Sequence, residues 1–408
     1  MNSPRVLLVA LLAAGCAFAQ TPTPTPAPIR TWTTTDGKTF QAQLVSVQGT
    51  QVTVRLGNGS LAAIGLPRLS PADQAYVKPP SSPAGAPTPA PASASADKRV
   101  WPQKVEVDTR AIEVTVIGED PANQKCVYRS RNFEFTAQDK IAPSVMKELS
   151  RTFEAMRSLI EALPWSIEPK PPQNIGFFPA TFYLTKENFI AAGGDAKSSG
   201  AYLPSEHRFI VPFQSLGLEQ HGKTWAKSAK YSDRTLEHDV ANQMMGDSYR
   251  FLPSWMWVGT AEYAMLLPNN AGVIQAGMHE RGVKEYIKRW ANDLHKSANA
   301  AGPVIDVMQL TPDAWVKQAR LNDDNPWNLQ FASALLVYYF CHLDGDGKGT
   351  RFIRYMDKIA EARRAGISTG ARGSFGFSQV DILLDGRDKD AMQKAVVEGY
   401  KKIGVRWP

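Results

Sequence analysis

The chain has 408 residues, a formal net charge of +7, 43% hydrophobic and 21% charged residues. That length supports two domains with a sizeable core, and the composition excludes a fibrous or wholly disordered chain. The basic residues are spread out, with no run of Lys and Arg interleaved with aromatics, which argues against a nucleic-acid partner.

Residues 1–19 read as an export signal. Arg5 supplies the positive start, Val6 to Ala14 the apolar core, and Ala17-Phe18-Ala19 an A-x-A cleavage site. The apolar run is too short to span a bilayer, so no transmembrane segment is expected in the mature chain. A-A-G-C, ending at Cys16, partly matches a lipoprotein cleavage box, although Ala13 stands where such a box prefers Leu. The favoured expectation is secretion into the periplasm or medium, with a lipid anchor at Cys16 as the alternative. Of the 3 cysteines, Cys126 and Cys341 survive either cleavage. They are open to pairing in an oxidising compartment or to separate burial as thiols, and no C-x-x-C motif occurs.

A Pro/Thr spacer follows at 20–28, and a Pro/Ala/Ser-rich linker, expected to be disordered, at 78–98. Between them, residues 29–77 alternate and turn like a compact β domain. Asp36-Gly37 is a hairpin signal, and TFQAQLVSV sets Phe40, Ala42 and Leu44 on one face. Val52, Val54 and Leu56 follow on the next strand, and Gly57-Asn58-Gly59 turns the chain again. LSPADQAYV closes the module with Ser70 as N-cap, Pro71 at the first helical position and Asp73 completing a capping-box-like pattern.

Residues 99–408 form the large module. It opens with the extended segments KVEVDTRAIEVTVIG and CVYRSRNFEFTA. From Ala142 the residues Met146, Leu149, Phe153, Met156, Ile160 and Leu163 make one apolar helical stripe. TFYLT and RFIVPF read as strands, with RFIVPF as the candidate sheet edge and A-G-G-D at 192–195 as a loop between them. Beyond Asp233 the pattern is mostly helical, and FASALLVYYFCHL, apolar nearly all round, is expected at the centre. The fold class expected is therefore α+β: a small β-barrel, a linker, then a domain with an N-terminal mixed sheet and a mostly helical C-terminal half. LDGDGKG invites a calcium reading, but Lys348 and Tyr355 occupy the fifth and twelfth positions of an EF-hand loop, which favours a glycine-rich helix stop.

The chemistry-bearing stretch is T-L-E-H-D-V-A-N-Q-M-M-G followed by P-S-W-M-W-V-G-T-A-E-Y. In a zincin, two His one helical turn apart bind zinc, the intervening Glu polarises water, and a third ligand comes from farther along. The stretch, with its surrounding order of strands and helices, resembles the gluzincin arrangement of a bacterial family of exported proteins, and the resemblance covers 99–408. It implies a zincin-like fold in which His238 matches the first ligand. Asp239 stands for the general-base Glu, Asn242 for the second His and Val258 for the third-ligand Glu. A shorter carboxylate misplaces the base, a neutral amide is a poor zinc donor and Val offers none. Glu262, one turn after Val258, and the more distant His279 are the remaining metal-ligand candidates beside His238. Glu237 is expected on another helix face, and Trp255 and Trp257 are candidate walls of a binding cleft.

The small module resembles the Sla homology domain, an SH3-like barrel, through R-T-W-T-T-T-D-G-K-T-F, V-T-V-R-L and L-S-P-A-D-Q-A-Y-V. That resemblance implies a protein or peptide ligand at 29–77, or a folded spacer. Ser205-Glu206-His207 and Asp323-Asp324 read as solvated polar loops. The expectation is an exported pseudo-peptidase without a resident cofactor. Its rivals are an active zinc metallopeptidase with rearranged ligands and a structural envelope interaction protein.

Overall fold

The computed structural model describes residues 29–48, 51–56, 61–77, 99–108, 110–172, 174–228, 234–293, 304–321, 328–367 and 373–406. The signal, the spacer, Cys16, the linker, the Gly57-Asn58-Gly59 turn and Asp323-Asp324 lie outside them. The chain divides into two compact units, with the division between Ala92 and Ser93.

In the first unit β1 (Ile29–Thr33), β2 (Thr39–Gln48), β3 (Gln51–Leu56) and β4 (Leu61–Gly65) form an antiparallel meander in sequence order. Gly37, at φ +80, makes the first turn, where a side chain would be strained. Alternation brings Trp32, Ala42, Val52 and Val54 to complete burial, with Phe40, Leu44 and Leu56 packed against them. A 3-10 turn (Leu66–Arg68) leads to α1 (Pro71–Val77). The capping pattern there acts beyond its own helix. Asp73 accepts from Ser70 Oγ (2.9 Å), and also from the Thr33 backbone N–H (2.8 Å) and from Arg30 Nη2 (2.6 Å) on β1. At 3% exposure, this carboxylate ties the last element of the unit to the first.

The second unit is mixed α+β. β5 (Val105–Glu106) precedes a meander of β6 (Thr115–Asp120), β7 (Lys125–Arg129) and β8 (Phe133–Ala137). α2 (Pro143–Ala162) then crosses to β9 (Phe178–Tyr183), which runs parallel to β8. α3 (Lys186–Ala191) leads to β10 (Ala201–Leu203) and β11 (Arg208–Pro212), giving a six-stranded mixed sheet of order β10-β11-β9-β8-β7-β6. The expected edge strand RFIVPF is therefore an inner strand: β11 pairs with β9 on one side and β10 on the other. The reason is visible in its side chains. Phe209, Ile210 and Val211 are all buried, the mark of a strand covered on both faces, whereas the short, half-buried β10 suits an edge.

The α2 stripe is core throughout. Phe153 meets Phe133, Phe135 and Phe209 of the sheet with ring centroids 5.2, 5.1 and 5.5 Å apart. Buried Glu154 on the same helix accepts from Ser130 Oγ and from the backbone and side chain of Asn132, pinning the β7–β8 turn.

The hairpin β12 (Leu218–His221) and β13 (Thr224–Lys227) precedes the helical half. There follow α4 (Thr235–Met245), α5 (Ser254–Leu266), β14 (Asn269–Asn270) and β15 (Val273–Ile274), the last joined to β5 in a small sheet. α6 (His279–Asp293), α7 (Val304–Met308), α8 (Pro312–Leu321), α9 (Asn328–His342) and α10 (Thr350–Arg364) continue the half. α11 (Ser374–Ser378), α12 (Asp381–Leu384) and α13 (Lys389–Lys402) complete it. α9 is central, with every residue from Phe331 to Cys341 buried. α5 crosses it closely at Gly259, where an added Cβ would lie 2.3 Å from the Ser333 carbonyl oxygen.

The glycine-rich loop after α9 holds no calcium-like convergence. Asp344 accepts from Tyr339 Oη and from Arg351 and Arg387, and Asp346 pairs with Lys348. Cys126 and Cys341 are separate buried thiols. Among the described residues, no helix is long and apolar enough to cross a membrane.

Gly259→Ala is expected to destabilise the large unit by about 1–3 kcal/mol, because the clash is with backbone rather than a movable side chain. Chemical denaturation would show it as a lower midpoint. Asp73→Ala is expected to remove hydrogen-exchange protection across residues 29–77 while leaving that of the second unit unchanged, since it strips one buried acceptor of three donors.

Candidate functional site

On α4 the residues Thr235, His238, Asp239 and Asn242 recur at three- and four-residue steps and share one face. The opposite face, with Val240, Ala241, Met244 and Met245, is buried core. Val258, Glu262 and Met265 make the corresponding face of α5. These faces line a cleft of about 630 Å³, bordered by the loop from Asp195 to Gly200, the start of β10, Trp315 and Val316 of α8, and Leu329 and Gln330 of α9. The motif positions His238, Asp239, Asn242 and Val258 and the candidate Glu262 are thus brought together. Glu237 points elsewhere, paired with Arg234 and accepting from Asn269 Nδ2 at 2.9 Å.

His238 stands between two carboxylates. Its Nδ1 lies 3.0 Å from Asp239 Oδ1, and its Nε2 faces Glu262 Oε1 at 3.6 Å, beyond hydrogen-bonding distance. Glu262 Oε2 accepts from Tyr286 Oη of α6 at 2.9 Å, and Asp239 Oδ2 accepts from Ser199 Oγ at 3.3 Å. Burial opposes protonation of His238, but the Asp239 hydrogen bond and the charges of Glu262 and Asp239 outweigh it, so its pKa is raised. Burial also raises the pKa of Glu262, against the lowering effects of His238 and Tyr286.

A catalytic zinc centre needs three protein donors converging on one point. Asp239 and Glu262 address opposite edges of the same imidazole. Asn242 contributes only a neutral amide, and Val258, 5% exposed, contributes no donor. Among the described residues, no group of three or more His, Cys, Asp or Glu side chains is placed to hold a metal ion. Asp239 Oδ1 is turned to His238 Nδ1.

Two of the sequence candidates lie away from this cleft. Trp255 is fully buried against Phe340, with ring centroids 6.1 Å apart. Two residues apart on a helix means about 200° of rotation, so only one indole of W-x-W can face the cleft. That one is Trp257, which lines it and meets Tyr249 edge-on at 4.6 Å. His279 begins α6, whose first turn packs at the end of α9, and its ring stacks on His342 at 3.7 Å and 4°. Its Nδ1 lies 3.0 Å from Tyr338 Oη, and His342 Nε2 lies 2.8 Å from Tyr263 Oη. A His238, Glu262, His279 ligand set is therefore not assembled.

The sequence did not signal Ser199, Tyr286 or Trp315. Tyr286 belongs to an amphipathic helix and looks like any core aromatic, and the contacts of all three depend on how distant segments meet. Gly200 acts by its size alone: an added Cβ would lie 2.6 Å from Asp239 Oδ2.

No protein-family model matches the chain, and no curated protein matches its sequence.

The stacked histidines imply a pH dependence. Burial lowers the pKa of both His279 and His342, and in His342 the charge of His279 lowers it further. A depressed histidine favours folding in its neutral form. Its contribution is therefore full above the unfolded value of about 6.5 and is lost as pH falls from there toward the folded pKa. Thermal unfolding between pH 7.5 and 5 is expected to lose stability more steeply in the natural chain than in His279→Phe. The difference would approach about 1.4 kcal/mol per pH unit for each proton removed from the linkage.

Proposed function

We propose that the chain is an exported, non-catalytic member of the gluzincin-like zincins, a pseudo-peptidase whose cleft binds a polypeptide or cell-wall ligand. The observation that carries this reading is the His238 cluster. The ring sits between Asp239 and Glu262, while Asn242 and Val258 stand where a second and third metal ligand would be needed. The cleft itself is open, and an edge strand, β10, borders it. An extended chain can add to such an edge through main-chain hydrogen bonds.

In this reading the first unit is a Sla homology, SH3-like module that binds a peptide or positions the large unit. Its four-stranded meander, 3-10 turn and short helix support that assignment. The signal-like residues 1–19 support export to the periplasm or beyond, with Cys16 as an alternative lipid-anchor site.

One observation favours a second reading, an active zinc metallopeptidase with rearranged ligands. The 3.6 Å separation of His238 Nε2 and Glu262 Oε1 is a spacing two ligands of one ion can have. Metal analysis of the purified chain separates the two. The pseudo-enzyme reading expects substoichiometric zinc that is unchanged in His238→Ala; one zinc per chain, lost in that variant, overturns it. Asp239→Glu, Asn242→His and Val258→Glu together restore a full donor set, and the triple variant is expected to gain one chelator-sensitive zinc per chain.

A further inference from the structure

The polar floor of the cleft is short of donors. Asp239, Asn242 and Glu262 are 9%, 4% and 6% exposed. Among the described residues, Asn242 Oδ1 is a buried acceptor without a hydrogen-bond partner, and His238 Nε2 has none either. A buried amide oxygen left unpaired is costly, and a ligand able to donate there would recover that cost. Two carboxylates, Asp239 and Glu262, face the one imidazole of His238. The walls are apolar and partly aromatic, with Trp257, Val258, Met265, Trp315 and Leu329.

An apolar cleft whose floor is rich in acceptors suits a cationic donor on an apolar stem. Aromatic walls favour the same charge through their ring faces. The acceptors are separate atoms on different helices, Asn242 Oδ1 on α4 and Glu262 Oε1 on α5, rather than the two oxygens of one carboxylate open to a planar fork. A compact ammonium with three divergent donors suits that arrangement better than a guanidinium does. Ser199 already donates to Asp239.

We propose that the cleft recognises a primary ammonium group on an apolar stem, which donates to Asn242 Oδ1 and pairs with Glu262 while the stem lies against Trp257 and Trp315. This rests on the reading of the cleft as a polypeptide-binding site and specifies which part of the polypeptide it takes. A chain N-terminus and a lysine side chain both carry the required group.

The test is calorimetric titration of the full mature chain, at neutral pH and with chelator present, using three probes: leucyl-leucinamide, N-acetyl-leucyl-leucinamide and N-acetyl-leucyl-lysinamide. The expected result is binding at least about tenfold tighter for an amine-bearing probe than for the acetylated dileucine. Preference between the two amines identifies the N-terminus or the lysine as the source. Glu262→Gln, which keeps an acceptor for Tyr286, is expected to reduce the amine preference about tenfold or more, with thermal unfolding as the check that it remains folded. Equal binding of all three probes overturns the ammonium proposal and leaves the cleft standing as a ligand site. Binding by none of them overturns the proposal together with the polypeptide-binding reading on which it rests.

Discussion

The helical half of the large unit is organised by the close crossing of α5 and α9. A glycine at position 259 lets one backbone reach the other, with no room for even a methyl group before the Ser333 carbonyl. α9 is buried on all sides, so it cannot move to relieve a misfit. α5 is thereby held at a fixed height and rotation, and the face it turns toward α4 carries Val258, Glu262 and Met265 into the cleft. The V-G-T-A-E-Y stretch thus carries two unrelated constraints. Gly259 serves packing, whereas Val258 beside it lines the cleft.

The cleft's electrostatics follow from that placement. Asp239 and Glu262 come from different helices, and the imidazole of His238 stands between them. Ser199 and Tyr286 donate to the outer oxygens and hold the carboxylates in place. A buried cluster of this kind is costly unless its members are paired.

Much of the fold was legible in the sequence where periodicity is strong and the elements are local. The α2 stripe from Met146 to Leu163, the all-round apolar α9, and the hairpin turn at Asp36-Gly37 each announce themselves within a few residues of chain. The strand RFIVPF was readable as a strand but not as an inner one, because an edge is defined by what pairs beside it. The three-residue β10 that covers it has too little pattern to be recognised in advance. W-x-W divided in the same way: helical rotation requires the two indoles to separate, but which one enters the core depends on the position of α9.

By itself, the sequence determined the residue types at the motif positions, and with them the shortage of zinc donors at 242 and 258, since no packing can turn an amide into an imidazole or give Val a lone pair. It also determined that Glu237 and His238 face different ways, because helical geometry sets the angle between neighbours. Only the tertiary structure decided that Glu262 meets His238 while His279 stacks on His342. Those pairings join residues far apart in the chain, and they depend on the crossing of α4 with α5 and on where α6 begins, which no local pattern encodes.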